Sequence, residues 1–279
     1  MSKAIYLATT EPNSGKSIVS LGMMQLLLGK TAKVGYFRPI IDDFEEGRID
    51  DHIDTVLKHF EVDQKFEDSY AYTRSQVVQL KNMDKDDEII GNIINKYKAI
   101  EDRFDIVLVE GTDFSGEGAI IEWDINVLIA KNLGIPAIII ANGMGKSLQE
   151  LVGNIYMAYD SFWEKGVEVL LTVANKVQTE NLEKVLAGLK SKLPKKVFTA
   201  AIPLNPILGN PTVKEIAQAL SAKVLFGEDF INNQAGEFSV GAMQLRNYLN
   251  HLKKDSLVIT PGDRADIILG ALQANISTN

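Results

Sequence analysis

The sequence predicts an α/β protein with a doubly wound, mostly parallel sheet and a short α/β tail. Short apolar runs alternate with longer segments of helical period throughout most of the 279 residues. The runs are apolar almost without interruption, as strands buried on both faces of a parallel sheet require. The first run also leads through a Gly-Lys-Ser loop into an apolar helix.

Taken in order, the expected strands are Ala4–Ala8, Val34–Phe37, Asp105–Val109, Ile135–Ala141, Val167–Ala174 and Val197–Ile202. Between them helices are expected over Gly15–Leu28, Asp50–Phe60, Asp86–Ile100, Ser147–Trp163, Thr179–Leu193 and Thr212–Leu220. The charged segment from about Glu45 to Asp102 lacks a clear strand and reads as helices and loops inserted in the sheet. Beyond Leu225 the polar stretch Gly227–Glu237 breaks the rhythm. A helix over Val240–Leu252, a strand over Leu257–Thr260 and a helix over Arg264–Ala274 then follow. The organisation expected is a main domain over 1–226 and a tail over 227–279.

Composition narrows the function classes. The formal charge is −8, from 29 basic and 37 acidic residues, and no basic run stands out, which argues against nucleic acid as a partner. With no cysteine, zinc-thiolate sites, Fe–S clusters and thiol nucleophiles are excluded. His52, His59 and His251 are scattered and read as surface helix residues. The N-terminus lacks the run of a signal peptide or membrane span, so a cytoplasmic protein with no membrane partner is expected.

In parallel α/β sheets ligands bind beyond the carboxyl ends of the strands. After the first strand come Thr10, Glu11, Pro12, Asn13, Ser14, Gly15, Lys16 and Ser17, in the place of a P-loop. There backbone N–H groups wrap a phosphate, the lysine reaches the terminal phosphates and the hydroxyl ligates Mg²⁺. Gly15, Lys16 and Ser17 are in register, while Thr10 stands where the leading glycine belongs. A second Gly145-Lys146-Ser147 leaves too little loop to encircle a phosphate and reads as a glycine turn with a Ser147 helix cap.

Other strand ends supply further candidates. Glu110, followed by Gly111, is placed to ligate Mg²⁺, with Asp51 the first choice for a second carboxylate. Capping alone also explains acids at the start of that helix. Arg38 offers a guanidinium for a carboxylate or phosphate. Asn175 ends a strand with an amide suited to a purine edge. Gln178 stands where a guanine-specific site needs aspartate, so adenine is favoured over guanine.

These residues together resemble the dethiobiotin synthetase group of P-loop proteins, which includes the cobyrinic acid amide synthases. The stretches concerned are Ala8–Ser17, Phe37-Arg38-Pro39-Ile40, Val109-Glu110-Gly111 and Ala174-Asn175-Lys176, and the resemblance covers about 1–220. Downstream, Ala201–Leu208, Pro211-Thr212-Val213, Ala242-Met243 and Ile259–Ile268 are similar to the N-terminal half of the long-form bacterial phosphate acetyltransferase family. In that family a dethiobiotin-synthetase-like domain precedes a DRTGG domain, and a third, C-terminal domain transfers acetyl between CoA and phosphate. The resemblance implies a regulatory, nucleotide-binding part, with residues 227–279 the start of the DRTGG domain and the catalytic domain missing. It also implies a fragment or shortened relative, a metabolite or nucleotide effector, and a role in building an oligomer.

Against the synthetases, Arg38 replaces lysine, Thr10 replaces glycine, and Thr112-Asp113-Phe114 replaces a glycine-rich stretch. Three readings follow. The first is a regulatory module of a phosphate acetyltransferase that binds ATP or another adenine nucleotide with Mg²⁺ and has no catalytic residues of its own. The second is a stand-alone ATP-dependent carboxylate-activating ligase with Arg38 on the acid. The third is a structural oligomerisation module with a relic P-loop.

Overall fold

The computed structural model describes residues 4–44, 49–112, 119–254 and 256–278. They divide into two compact units that meet between Leu204 and Asn205, ahead of the break near Phe226 that the composition suggests.

The first unit holds seven strands: β1 (Ala4–Thr9), β2 (Val34–Ile41), β3 (Tyr70–Thr73), β4 (Ile106–Glu110), β5 (Ala137–Asn142), β6 (Val169–Val177) and β7 (Phe198–Pro203). They pair in the order β3-β2-β4-β1-β5-β6-β7, and every pairing is parallel. All eight residues of β2 are buried, including Arg38 and Pro39. Pro39 is accommodated because β2 pairs with β4 only over Val34–Phe37 and with β3 from Arg38 onward, so its missing N–H falls where the β4 ladder has ended.

The strands alternate between two apolar layers, as the two-residue period demands. Tyr6, Phe37, Val109 and Ile139 face α4 (Asp86–Glu101), α5 (Ala119–Leu133), α6 (Leu148–Glu164) and α7 (Leu182–Lys192). Leu7, Tyr36, Leu108, Ile140 and Val173 face α1 (Lys16–Leu28) and α2 (Asp51–His59) through Met24, Ile53 and Val56. Helices on both faces of a parallel sheet make the unit doubly wound.

Three elements depart from the sequence reading. The Glu45–Asp102 segment does contain a strand: β3, paired with β2 and leading into α3 (Arg74–Lys81). At four half-buried residues it is too short to show a pattern against its charged flanks. Helix α5 lies outside the expected helices because its apolar sequence gives no periodic contrast. In the tail, Val240 ends a strand instead of starting a helix.

The second unit contains α8 (Val213–Ala219), β8 (Glu237–Val240), α9 (Leu245–Leu249), β9 (Ser256–Ile259) and α10 (Ala265–Thr278). β8 and β9 pair in parallel, and Tyr248 and Ile267 are buried beside them. Gly270 lets α10 approach α9: a Cβ there would lie 2.3 Å from Leu245 Cδ1. Arg264 donates to the Met243 carbonyl at 2.7 Å and to both oxygens of Asp266 at 2.8 Å, fixing the start of α10.

Candidate functional site

The loop between β1 and α1 lies at the carboxyl edge of the sheet, between the ends of β4 and β5. Its shape depends on two left-handed residues, Asn13 at φ +58 and Gly15 at φ +81. Glycine at 15 serves a second purpose, since a Cβ would stand 2.3 Å from the Asn175 amide nitrogen. No side chain caps the N-terminus of α1, and its first turn carries no acid. The helix therefore keeps the positive end of its dipole and its first N–H groups for another acceptor. At the entrance, the hydroxyls of Thr9 and Thr10 are buried without a hydrogen-bond partner. Ser14 turns its hydroxyl back to the Glu11 carbonyl.

Lys16 is buried, with Nζ donating to the Gly111 carbonyl at 2.5 Å and 3.9 Å from Glu110 Oε1. The carbonyl is presented by α5: Asn126 accepts from the Thr112 N–H at 2.9 Å, donates to the Thr112 carbonyl at 3.0 Å and accepts from Tyr6 Oη at 2.6 Å. Asp113 and Phe114, part of the departure from the synthetase pattern, lie outside the described residues.

Glu110, at the end of β4, is inaccessible to solvent. Tyr36 donates to its Oε2 at 2.7 Å, and Arg38 Nε stands 3.5 Å from Oε1. Burial alone would raise its pKa, but the charges of Lys16 and Arg38 and the Tyr36 hydrogen bond outweigh that and hold it below the usual carboxylate range. Arg38 is equally enclosed. Its Nη1 donates to both Asp50 oxygens at 2.7 Å, and Asp50 accepts from the Ile53 N–H as the cap of α2. Burial would lower the guanidinium pKa, yet Glu110, Tyr36 and Asp50 raise it. Arg38 is thus engaged in an internal ion-pair chain, whereas the sequence suggested an open guanidinium.

Beside this chain lies a cavity of about 210 Å³, onto which Ser17, Ser20, Tyr36, Asp51, His52, Thr55 and Glu110 all face. His52 Nδ1 is 2.9 Å from Ser17 Oγ and 3.9 Å from Glu110 Oε1, so one of the three histidines read as surface residues belongs to the site. Ser17, Asp51 and Glu110 are hard oxygen donors on one cavity, and Glu110 Oε1 is buried without a hydrogen bond. That set fits Mg²⁺, which takes one or two carboxylates with waters and phosphate oxygens. Among the described residues no group of three or more acidic, His or Cys side chains is placed to cage a metal by itself.

The end of β6 grips the loop from the other side. Asn175, nearly inaccessible, donates its amide to the Ser14 carbonyl at 2.8 Å, and Lys176 Nζ donates to the Asn13 carbonyl at 2.7 Å. Asn175 was read as facing a purine edge; its amide nitrogen instead holds the loop. Lys176, missed in the sequence reading, is itself left-handed at φ +57, a signal invisible in the residue type. Gly145 at φ +74 turns the chain after β5, Ser147 caps α6 reciprocally with Glu150, and Lys146 pairs with Glu11 of the loop.

A parallel, doubly wound sheet whose first strand leads through a glycine-lysine-serine loop into a helix defines a P-loop α/β protein. More particularly, the chain belongs to the AAA domain family (AAA_26), whose model matches residues 3–212, and a DRTGG domain model matches residues 215–278. It is 39% identical over 284 residues to the phosphate acetyltransferase of Nitratidesulfovibrio vulgaris and 37% identical over 281 residues to that of Synechocystis. Each alignment covers 100% of this chain and 40% of the relative. The chain thus spans about two-fifths of the length of these relatives. No helix among the described residues is long and apolar enough to cross a membrane.

Proposed function

We propose that this chain is the N-terminal regulatory part of a cytoplasmic phosphate acetyltransferase, and that its first unit binds an adenine nucleotide with Mg²⁺. The observation that carries the reading is the uncapped N-terminus of α1 behind a loop held open by Asn13 and Gly15. The loop N–H groups and Lys16 would hold the phosphates. Ser17, Glu110 and Asp51 would hold Mg²⁺, which supplies charge neutralisation of the phosphate oxygens. Gln178, where a guanine site needs aspartate, favours adenine. Thr10 stands at the loop entrance with a free buried hydroxyl, and Asn13, Ser14 and Asn175 shape the cradle. Acetyl transfer would belong to a separate catalytic domain, which this unit regulates within an oligomer.

The ligase reading needs Arg38 free for an acid substrate, and its engagement with Asp50 and Glu110 counts against it. The test is calorimetric titration of Mg-ATP and Mg-GTP into the chain and its Lys16→Ala variant. The expected result is binding of ATP in preference to GTP, weakened at least tenfold by the substitution, without ATP turnover and without acetyl-CoA formation from acetyl phosphate. Absence of any binding at millimolar nucleotide would leave the loop a relic in a structural module. Turnover dependent on a carboxylic acid would restore the ligase.

A further inference from the structure

Glu11 is an acid inside the loop itself, and a carboxylate beside a polyphosphate site is electrostatically adverse. Its partner is Lys146, whose side chain reaches it from the turn between β5 and α6. The pair is partly withdrawn from water, with side chains 19% exposed for Lys146 and 33% for Glu11. Lys146 itself is held at a fixed height by left-handed Gly145 and by the reciprocal Ser147–Glu150 cap. Lys16 and Lys176 also end at the site, but on backbone carbonyls, those of Gly111 and Asn13. Of these three lysines, Lys146 pairs with an acidic side chain of the loop. A side-chain carboxylate on a rotatable stem can be exchanged for another anion more readily than a fixed carbonyl can.

We propose that Glu11 keeps the place of a phosphate group. Its carboxylate occupies Lys146 until a polyphosphate arrives; Lys146 then transfers its hydrogen bonds to phosphate oxygens and Glu11 turns to solvent. Lys146 thereby becomes a second phosphate-binding lysine, and Glu11 an internal competitor that sets affinity. This rests on the nucleotide reading above and adds a residue and a regulatory contact to it.

The competing account is a staple that merely joins two loops, and the two differ in sign. Sodium tripolyphosphate and Mg-ATP are titrated calorimetrically into the chain, Glu11→Gln, Lys146→Gln and the double variant, with thermal midpoints taken to establish folding. Glu11→Gln is expected to bind both probes about fivefold tighter. Lys146→Gln is expected to weaken binding about tenfold, and to do so in the Glu11→Gln background as well. Glu11→Gln binding no tighter than the parent overturns the proposal, as does a Lys146→Gln substitution that is harmless once Glu11 is removed. If the parent binds ATP through Lys16 and either of these results is found, only this inference falls. If the parent and Glu11→Gln bind neither probe, the nucleotide reading falls with it.

Discussion

Asn175 donates its side-chain amide to the carbonyl of Ser14 at 2.8 Å, joining the end of β6 to the crest of the phosphate loop across 161 residues of chain. The bond lies out of water, so its loss exposes the carbonyl to no substitute donor. Asn175→Ala is expected to lower stability by about 1–3 kcal/mol. Equilibrium urea unfolding checks this, and a midpoint unchanged from the parent would show that the loop holds itself. Nucleotide affinity should fall in parallel.

Gly15 meets two independent demands, a left-handed backbone and clearance for Asn175. Gly15→Ala is expected to cost about 1–3 kcal/mol from the strained backbone, and more from displacement of the amide. Crystallography of the variant should show the loop shifted away from Asn175. Retained geometry with parental stability would contradict the steric argument.

Glu110 is the shared counter-charge of Lys16 and Arg38. Glu110→Gln keeps the shape but removes the carboxylate charge that Lys16 and Arg38 share, leaving Arg38 with Asp50 and Lys16 with a carbonyl, so a loss of about 3–5 kcal/mol is expected. Replacing Tyr36 by Phe removes only the hydroxyl that supports the carboxylate and should cost about 1–3 kcal/mol. Thermal unfolding of both variants checks the order, which would be wrong if Tyr36→Phe proved the more damaging.

In the second unit, the Arg264 guanidinium hydrogen-bonds the exposed Asp266 carboxylate and holds its pKa down at about 2. Because the folded pKa lies below the ordinary 3.8, the interaction's contribution is present above pH 3.8 and is lost as pH falls through about 2. Carboxyl-carbon NMR titration should give a midpoint near 2 in the parent and a higher one in Arg264→Gln. Equal midpoints in the two proteins would remove Arg264 as the cause.

Five of the seven strands of the first unit were legible because burial on both faces writes an apolar run that no amphipathic helix produces, and β7 was legible from its apolar run although it lies at the exposed edge of the sheet. β3 was not, because a four-residue edge strand needs only its partner β2 to define it. The loop residues Gly15, Lys16 and Ser17 were legible from local context. The occupations of Arg38 and Asn175 were not, since both depend on groups brought up by distant segments: Asp50 and Glu110 for one, Ser14 for the other. His52 escaped for the same reason: it looks like a surface residue until α2 is laid beside the start of α1.

Apart from the Ser14–Glu11 bond within it, the phosphate loop is tied to segments far away in the chain: the ends of β4 and β6 and the turn after β5. The cradle is therefore a property of the assembled sheet, and it forms only once these long-range pairings are made. A ligand seated there cannot brace one corner of the unit alone. Its binding energy must appear as resistance of the whole seven-stranded body to unfolding, about 2.7 kcal/mol at a hundredfold excess over the dissociation constant. Whatever molecule fills the loop would set the stability of this body as a whole.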